Sequence, residues 1–256
     1  MLARMFSRRW LLATALVLAA AAVMARLGVW QLDRLEWRRS LNARVTEQLA
    51  AEPLVLEAGS LDLDLYSMEY RRVVVTGTYL PEDEIVLRNQ VWPGEFGSQL
   101  GVKLFTPLLI ESSDTAILVE RGWIPEADAE DRAAYREDGA VTVSGQLRRA
   151  ETDFDVNEML HPDATLAPGQ PRLEVWNNLD LERLSGQMDV ELLPMYLQRI
   201  PTGAQAEPPY ASPPELDLSE GPHLGYAFQW FAFAGLILIG YPFYVQRQET
   251  KRNAYI

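Results

Sequence analysis

Two stretches of the chain are almost wholly apolar, and between them short apolar and β-branched runs are separated by polar turns. Residues 10–30 are rich in Leu and Ala and carry one charge, Arg26. Residues 224–245 are 22 positions with no charge. At about 1.5 Å of rise per residue the second stretch is roughly 33 Å of helix, enough to cross a hydrocarbon core of about 30 Å. Beyond the first stretch Leu32, Leu35, Leu41, Val45 and Leu49 keep near-helical spacing. The helix is therefore predicted to run on through 31–50 and to end at Pro53.

From there the signals are mostly those of strands, at 71–79, 84–89, 102–110, 115–123, 141–147, 172–176 and 193–199, with clean alternation at 141–147. A turn-rich loop is predicted at 92–97, a short charged helix at 128–137 ending at Gly139, and a second short helix at 178–186 with Asp180 near its start. The segments 73–78 and 141–146 echo one another, and the glycine in each, Gly77 and Gly145, marks a bulge or a close backbone approach. Residues 149–170 read as a polar loop holding His161. Six prolines in 201–222 predict an extended, semi-rigid strap. The fold class is a membrane protein with two transmembrane helices flanking a mostly-β (α+β) extramembrane domain.

Charge sets the expected topology. Seven basic residues and one acidic residue lie outside 31–222, while that window holds 16 basic and 35 acidic, a net of −19. Arg4, Arg8 and Arg9 precede the first span, and Arg247, Lys251 and Arg252 follow the second. The positive-inside bias puts both tails in the cytoplasm. The expected organisation is a cytoplasmic N-terminus at 1–9, spans at 10–30 and 223–245, a periplasmic domain at 31–200, the strap at 201–222 and a cytoplasmic C-terminus at 246–256. The first span has two readings: a signal peptide with a twin-arginine-like start at Arg8-Arg9, or an uncleaved helix with Arg26 snorkelling and Trp10 and Trp30 as interfacial anchors.

Composition excludes several classes. The chain has no cysteine, which removes disulfide scaffolds, thiol relays, iron–sulfur clusters and cysteine-held zinc. An acidic central block repels nucleic acid. There is no phosphate loop, dinucleotide fingerprint or zinc-protease helix. His161, in its polar loop, reads as solvated.

His223 stands at the mouth of the second span, with Tyr226 and Trp230 three and seven positions on, so all three share a helix face. One reading is a histidine solvated among headgroups. The other is a ligand to haem iron, with Tyr226, Phe228, Trp230 and Trp30 as walls. Arg34 and Arg38 pair either haem propionates or anionic lipid. Arg121 reads as a buried structural arginine that needs a carboxylate.

The segments 28–34 (Gly-Val-Trp-Gln-Leu-Asp-Arg), 121–125 (Arg-Gly-Trp-Ile-Pro) and 223–231 (His-Leu-Gly-Tyr-Ala-Phe-Gln-Trp-Phe) together resemble the surfeit-locus family of cytochrome oxidase assembly proteins, known in yeast as Shy. Residues 71–77, 87–90 and 105–108 match in kind, and the resemblance spans about 28–244. It favours an uncleaved first span, since matching residues straddle its outer end. It implies a non-enzymatic inner-membrane protein that helps to mature subunit I of haem-copper oxidases. The short leading segment is unlike a mitochondrial transit peptide, which points to a bacterial member with its β domain in the periplasm. Bacterial members of that family have been associated with binding haem a and offering it to subunit I. The resemblance thus implies haem a as cofactor, His223 as the iron ligand, and Trp30, Gln31, Arg34, Tyr226 and Trp230 around it. Its implied partners are oxidase subunit I, membrane lipid and, as a further candidate, haem a synthase. Two other classes stay in play: a haem-free scaffold for an oxidase intermediate, and a carboxylate-dependent periplasmic hydrolase.

Overall fold

The computed structural model describes residues 5–94, 97–150, 172–203, 207–212 and 216–253. His161 and most of the 149–170 loop lie outside them, as do parts of the strap. The chain divides into two compact units, one of residues 1–44 with 217–256 and one of residues 45–216.

The first unit is built on α1 (Leu11–Ala50) and the long C-terminal helix His223–Asn253. Both are long and apolar enough to cross a membrane. α1 runs from the apolar stretch through to Ala50 without a break, three residues short of Pro53, as its spacing predicts. Where both helices lie in this unit they pair antiparallel, as the contacts at both ends show. Thr14 meets the Tyr241 hydroxyl at 2.9 Å, and Trp10 Nε1 donates to Glu249 at 3.0 Å. At the other end Gln31 meets His223. The stripe between the helices is small and apolar: Ala21, Ala227, Ala234 and Val245 are buried. Large apolar side chains such as Leu12, Leu16, Phe228 and Ile239 point outward. A helix that leaves such residues on its outer face needs an apolar surround. Small residues that could let the two spans approach closely stand at Ala15, Ala19, Ala21, Ala25 and Gly235. Ala21 is there, but Ala15 and Ala19 are exposed, and a Cβ at Gly235 would meet nothing. Gly28 makes the approach instead: a Cβ there would lie 2.8 Å from the Phe231 ring.

Among its described residues the second unit holds strands β1 (Leu54–Leu56), β2 (Arg72–Tyr79), β3 (Ile85–Gly94), β4 (Gly97–Ile110), β5 (Thr115–Pro125), β6 (Ala140–Arg148), β7 (Val175–Trp176) and β8 (Glu191–Arg199), with a short helix, α2 (Leu181–Ser185), before β8. With α2 placed, the C-terminal helix is α3. The strands form one sheet in the order β1-β2-β6-β8-β5-β4-β3-β7. β2 pairs with β6 along 72–78 and with β4 along 77–79, so β2, β6, β8, β5 and β4 close into a barrel. Val73, Val75, Ile117, Val119, Met195 and Leu197 belong to one buried cluster. Phe105, Ala116, Leu118, Trp176 and Leu184 form a second, under α2. β5 contributes to both, with alternate residues in each. A strand covered on both faces loses its polar positions, which is why 116–119 is an unbroken apolar run.

The two echoing segments are neighbours: β2 and β6 pair antiparallel, with Val73 opposite Gly145 and Gly77 opposite Val141. Their register has no bulge, so the close-approach reading holds. A Cβ at Gly77 would sit 2.2 Å from the Leu109 carbonyl oxygen, and one at Gly145 would sit 2.5 Å from Leu197 Cγ. The short helix at 178–186 is present, with Asp180 Oδ1 accepting from the Arg183 N–H at 2.9 Å as its N-cap.

Three expectations change. The charged helix at 128–137 is instead two single 3₁₀ turns, Glu126–Asp128 and Ala133–Tyr135. This acidic segment has no apolar stripe to bury, and a helix so short needs one. The turn-rich loop at 92–97 is the end of a hairpin, with Gly94 paired to Gly97 and the strands running past Trp92. Trp92 stacks against both Trp123 and Tyr210, with ring centroids 6.1 and 5.3 Å apart, and that packing overrides the local turn signals. Finally, only Val175–Trp176 of the 172–176 segment pairs as strand.

Candidate functional site

The site begins with the way α3 starts. Gly221 has φ of +67°, a turn that side chains disfavour, and Pro222 follows with its φ fixed. The first helical bond is Tyr226 N–H to the Pro222 carbonyl at 3.1 Å, which puts His223 in the opening turn. The ring is half-buried, and its Nδ1 lies 2.8 Å from Gln31 Oε1 of α1. An amide oxygen only accepts, so the neutral ring carries its proton on Nδ1 and keeps the Nε2 lone pair available. This second-partner arrangement fixes the tautomer of a metal-binding histidine. One turn deeper, Gly28 and Phe231 bring the two helices together.

The structure brings Gln31 and His223 into contact; the other expected residues sit around them differently. Trp30 and Tyr226, 49% and 48% exposed, turn outward. Trp230 is half-buried and packs edge-on against Phe233, with centroids 6.3 Å apart. The exposed Arg34 lays its guanidinium 3.9 Å from the centroid of the Trp37 ring. Sharing a face in sequence is therefore not sharing a pocket: Ala227 and Ala234 take the helix-facing positions. Arg38, expected to meet a propionate or lipid, is engaged by the chain itself. It donates to the Ser219 carbonyl at 3.0 Å and to the Asp217 carbonyl at 2.7 Å.

A flat, apolar, iron-bearing ring asks for a neutral imidazole nitrogen, aromatic or aliphatic walls and a cation for its acid groups. Nε2 of His223, the outward rings of Trp30, Tyr226 and Phe228, and the Arg34 guanidinium supply donors of those kinds. Among the described residues no group of three or more His, Asp and Glu side chains converges to hold a bare metal ion.

The second unit has its own polar centre, around Arg121. Between β4 and β5 the register steps from Phe105–Glu120 to Leu104–Gly122, leaving Arg121 as the extra residue of a bulge. Its side chain is 2% exposed and pairs with Glu84 at 3.3 Å and Glu137 at 2.8 Å, while also bonding the Tyr135 carbonyl. Arg132 reaches Glu84 at 2.9 Å, and Arg199 reaches Glu137 at 2.8 Å. Burial works to raise the Glu137 carboxyl, but the hydrogen bond and charge of Arg121 and the charge of Arg199 hold it below the usual carboxylate range. Tyr79, under the Arg121 guanidinium, is pushed up to about 12 by burial, which the Arg121 charge only partly offsets. Arg121 is the buried, carboxylate-paired structural arginine that its strand position predicts.

The motifs that carry the family resemblance thus fall into two places, the start of the helix pair and the barrel bulge. A model of the SURF1 family matches residues 18–235. The chain belongs to the SURF1 family. Among its relatives, a SURF1-like protein of Monosiga brevicollis is 28% identical over 93% of this chain and 88% of its own length. Surfeit locus protein 1 of Homo sapiens is 27% identical over 81% of this chain and 69% of its own. The cytochrome oxidase assembly protein SHY1 of Saccharomyces cerevisiae is 33% identical over 43% of this chain and 28% of its own. The matched region takes in Gln31, Arg121 and His223, so both centres of this SURF1-family chain lie within it. Sequence reasoning missed Arg39, Asn42 and the acidic segment they hold. The available signal was charge complementarity: Arg38-Arg39 just past one span, Asp217 and Glu220 just before the other.

Proposed function

We propose that this SURF1-family chain is an assembly factor for haem-copper (cytochrome c) oxidase that binds haem a and promotes its insertion into subunit I. The oxidase-assembly role is supported by family membership and by the name of the yeast relative. The haem reading rests on one observation, the 2.8 Å contact that leaves His223 Nε2 available.

His223 holds the iron through Nε2, and Gln31 orients the ring and keeps Nδ1 protonated. Trp30, Tyr226, Phe228 and Trp230 offer apolar surface to the macrocycle, and Arg34 pairs a propionate. The protein supplies binding and orientation, and the iron chemistry belongs to the haem that it hands on. Both helices span the bacterial inner membrane with their tails in the cytoplasm, and the barrel faces the periplasm, where its acidic surface meets the oxidase subunit. Haem a synthase is the natural donor.

A haem-free scaffold is favoured if the Gln31–His223 contact acts only as a polar lock between spans, a use that such pairs have in membranes. An absorption spectrum of the purified protein decides between them: a haem a band supports carriage, and its absence with subunit I still co-purifying supports the scaffold.

A further inference from the structure

The four residues that lead toward His223 are each held by α1. Asp217 presents both its carbonyl, 2.7 Å, and its carboxylate, 3.1 Å, to Arg38 Nη2. The Leu218 carbonyl accepts from Asn42 Nδ2 at 2.6 Å. The Ser219 carbonyl accepts from Arg38 Nε at 3.0 Å, and the Ser219 N–H closes a local turn onto Asp217 Oδ1 at 2.9 Å. Glu220 makes a two-pronged pair with Arg39 at 2.9 and 2.8 Å.

The spacing of the holders matters. Arg38 and Asn42 follow Gln31 by 7 and 11 positions, so all three lie on one stripe of α1. Buried Leu35 lies between Gln31 and Arg38 on that stripe. Only Gly221 and Pro222 separate the last clamped residue from His223. The proline fixes its own φ, and Gly221, at +67°, sets the turn. A Cβ on Gly221 would already sit 3.5 Å from His223 Nε2. The imidazole is thus located from two sides by one helix: at Nδ1 by Gln31, and through its backbone by the clamp.

An exposed ion pair such as Arg39–Glu220, with side chains 55% and 49% exposed, adds little to stability. Fork-to-fork geometry is instead a device for setting position. We propose that Arg38, Arg39 and Asn42 are positioning residues that clamp 217–220 and so hold the His223 ring on Gln31, selecting Nε2 as the nitrogen offered to a ligand. The clamp rests on the haem-carrier reading only for what the nitrogen is offered to; the ring geometry stands apart from it.

The test is nitrogen NMR of the full chain, labelled at histidine, in lipid nanodiscs at a pH where the ring is neutral. The His223 signals are those lost in His223→Gln. The wild type is expected to show a protonated Nδ1 and a bare Nε2, whereas a free imidazole favours the opposite tautomer. Arg39→Glu combined with Arg38→Gln should shift His223 toward the free mixture and lower haem affinity by roughly tenfold, the scale of a lost outer-shell partner. Restoring the pair with opposite sign, Arg39→Glu with Glu220→Arg and Arg38 intact, should return both signals to wild type, which a generally misfolded variant would not do. An unchanged tautomer in the broken clamp, or a charge swap worse than Arg39→Glu alone, overturns the proposal. A tautomer that follows the clamp in a protein taking up no haem upholds the positioning role and removes the haem reading.

Discussion

His223 Nδ1 and Gln31 Oε1 lie 2.8 Å apart across 192 positions of sequence, joining the first turn of α3 to α1. The contact does two things at once. It ties the two apolar helices together at one end, and it decides which imidazole nitrogen is free. Gln31→Leu keeps the helix and the side-chain volume but removes the acceptor. Haem titration should show affinity reduced by roughly 10–100-fold, against complete loss in His223→Ala. Equal affinity in Gln31→Leu and wild type would make the hydrogen bond incidental.

Gly28 sets how closely the helices approach. A Cβ at that position would lie 2.8 Å from the Phe231 ring, so Gly28→Val must push the ring or the helix aside. The variant should lose thermal stability and haem affinity together. Phe231→Ala in the same chain should recover a large part of both, because it empties the space that the valine needs. Additive losses in the double variant would show that the two positions do not meet.

In the barrel, buried Arg121 lies between Glu84 and Glu137, each of which has a second arginine partner. Arg121→Ala would leave Glu84, itself buried, with one guanidinium partner fewer, and such truncations cost about 3–5 kcal/mol. Chemical denaturation should show that loss. Arg121→Met with Glu84→Gln, which removes the charges from both ends of the pair, should be milder. A surface-like change below about 0.5 kcal/mol for Arg121→Ala would contradict the network.

The same network makes stability depend on pH at both extremes. Arg121 and Arg199 hold the Glu137 carboxyl below its ordinary value in the folded state. The folded protein therefore binds fewer protons there than the unfolded chain, and this contribution, present above about 4.5, is lost as pH falls through the lowered value. Glu137→Gln should flatten the acid limb of a melting-temperature profile. Tyr79 behaves in the opposite sense. Its folded value is raised from 10 to about 12, so its contribution is complete below pH 10 and is lost as pH climbs toward 12. That shift is worth roughly 3 kcal/mol. Tyr79→Phe should remove the alkaline limb, and an unchanged limb would mean another group controls it.

Much of the fold was legible because its signals are periodic. The uninterrupted apolar runs gave both helices, short β-branched and apolar runs bounded by turn residues gave β2, β4, β5 and β8, and strict alternation gave β6. What failed were places where tertiary partners outweigh local preference. The acidic segment after β5 has helix-forming residues but is tied down by Arg121 and Arg132. The hairpin end at Trp92 carries turn residues but stacks on Trp123 and Tyr210. In the candidate site, His223 was legible from its place at the mouth of an uncharged run, and Gln31 from the resemblance. Helical offsets of three and seven were a poor guide to its neighbours, since the partner helix takes the positions four and eleven on, Ala227 and Ala234. The clamp was illegible by periodicity because it joins α1 to an irregular segment about 180 residues away, Arg38 and Asn42 through backbone carbonyls that every sequence possesses and Arg39 through the Glu220 carboxylate.

The most direct test of the central claim is the absorption spectrum of the full chain purified from cells that make haem a, beside His223→Ala prepared in the same way. A haem a band in the wild type that disappears in His223→Ala is the expected result. A band of equal strength in both would place the iron on another ligand, and no band in either would leave an oxidase assembly factor that carries no haem.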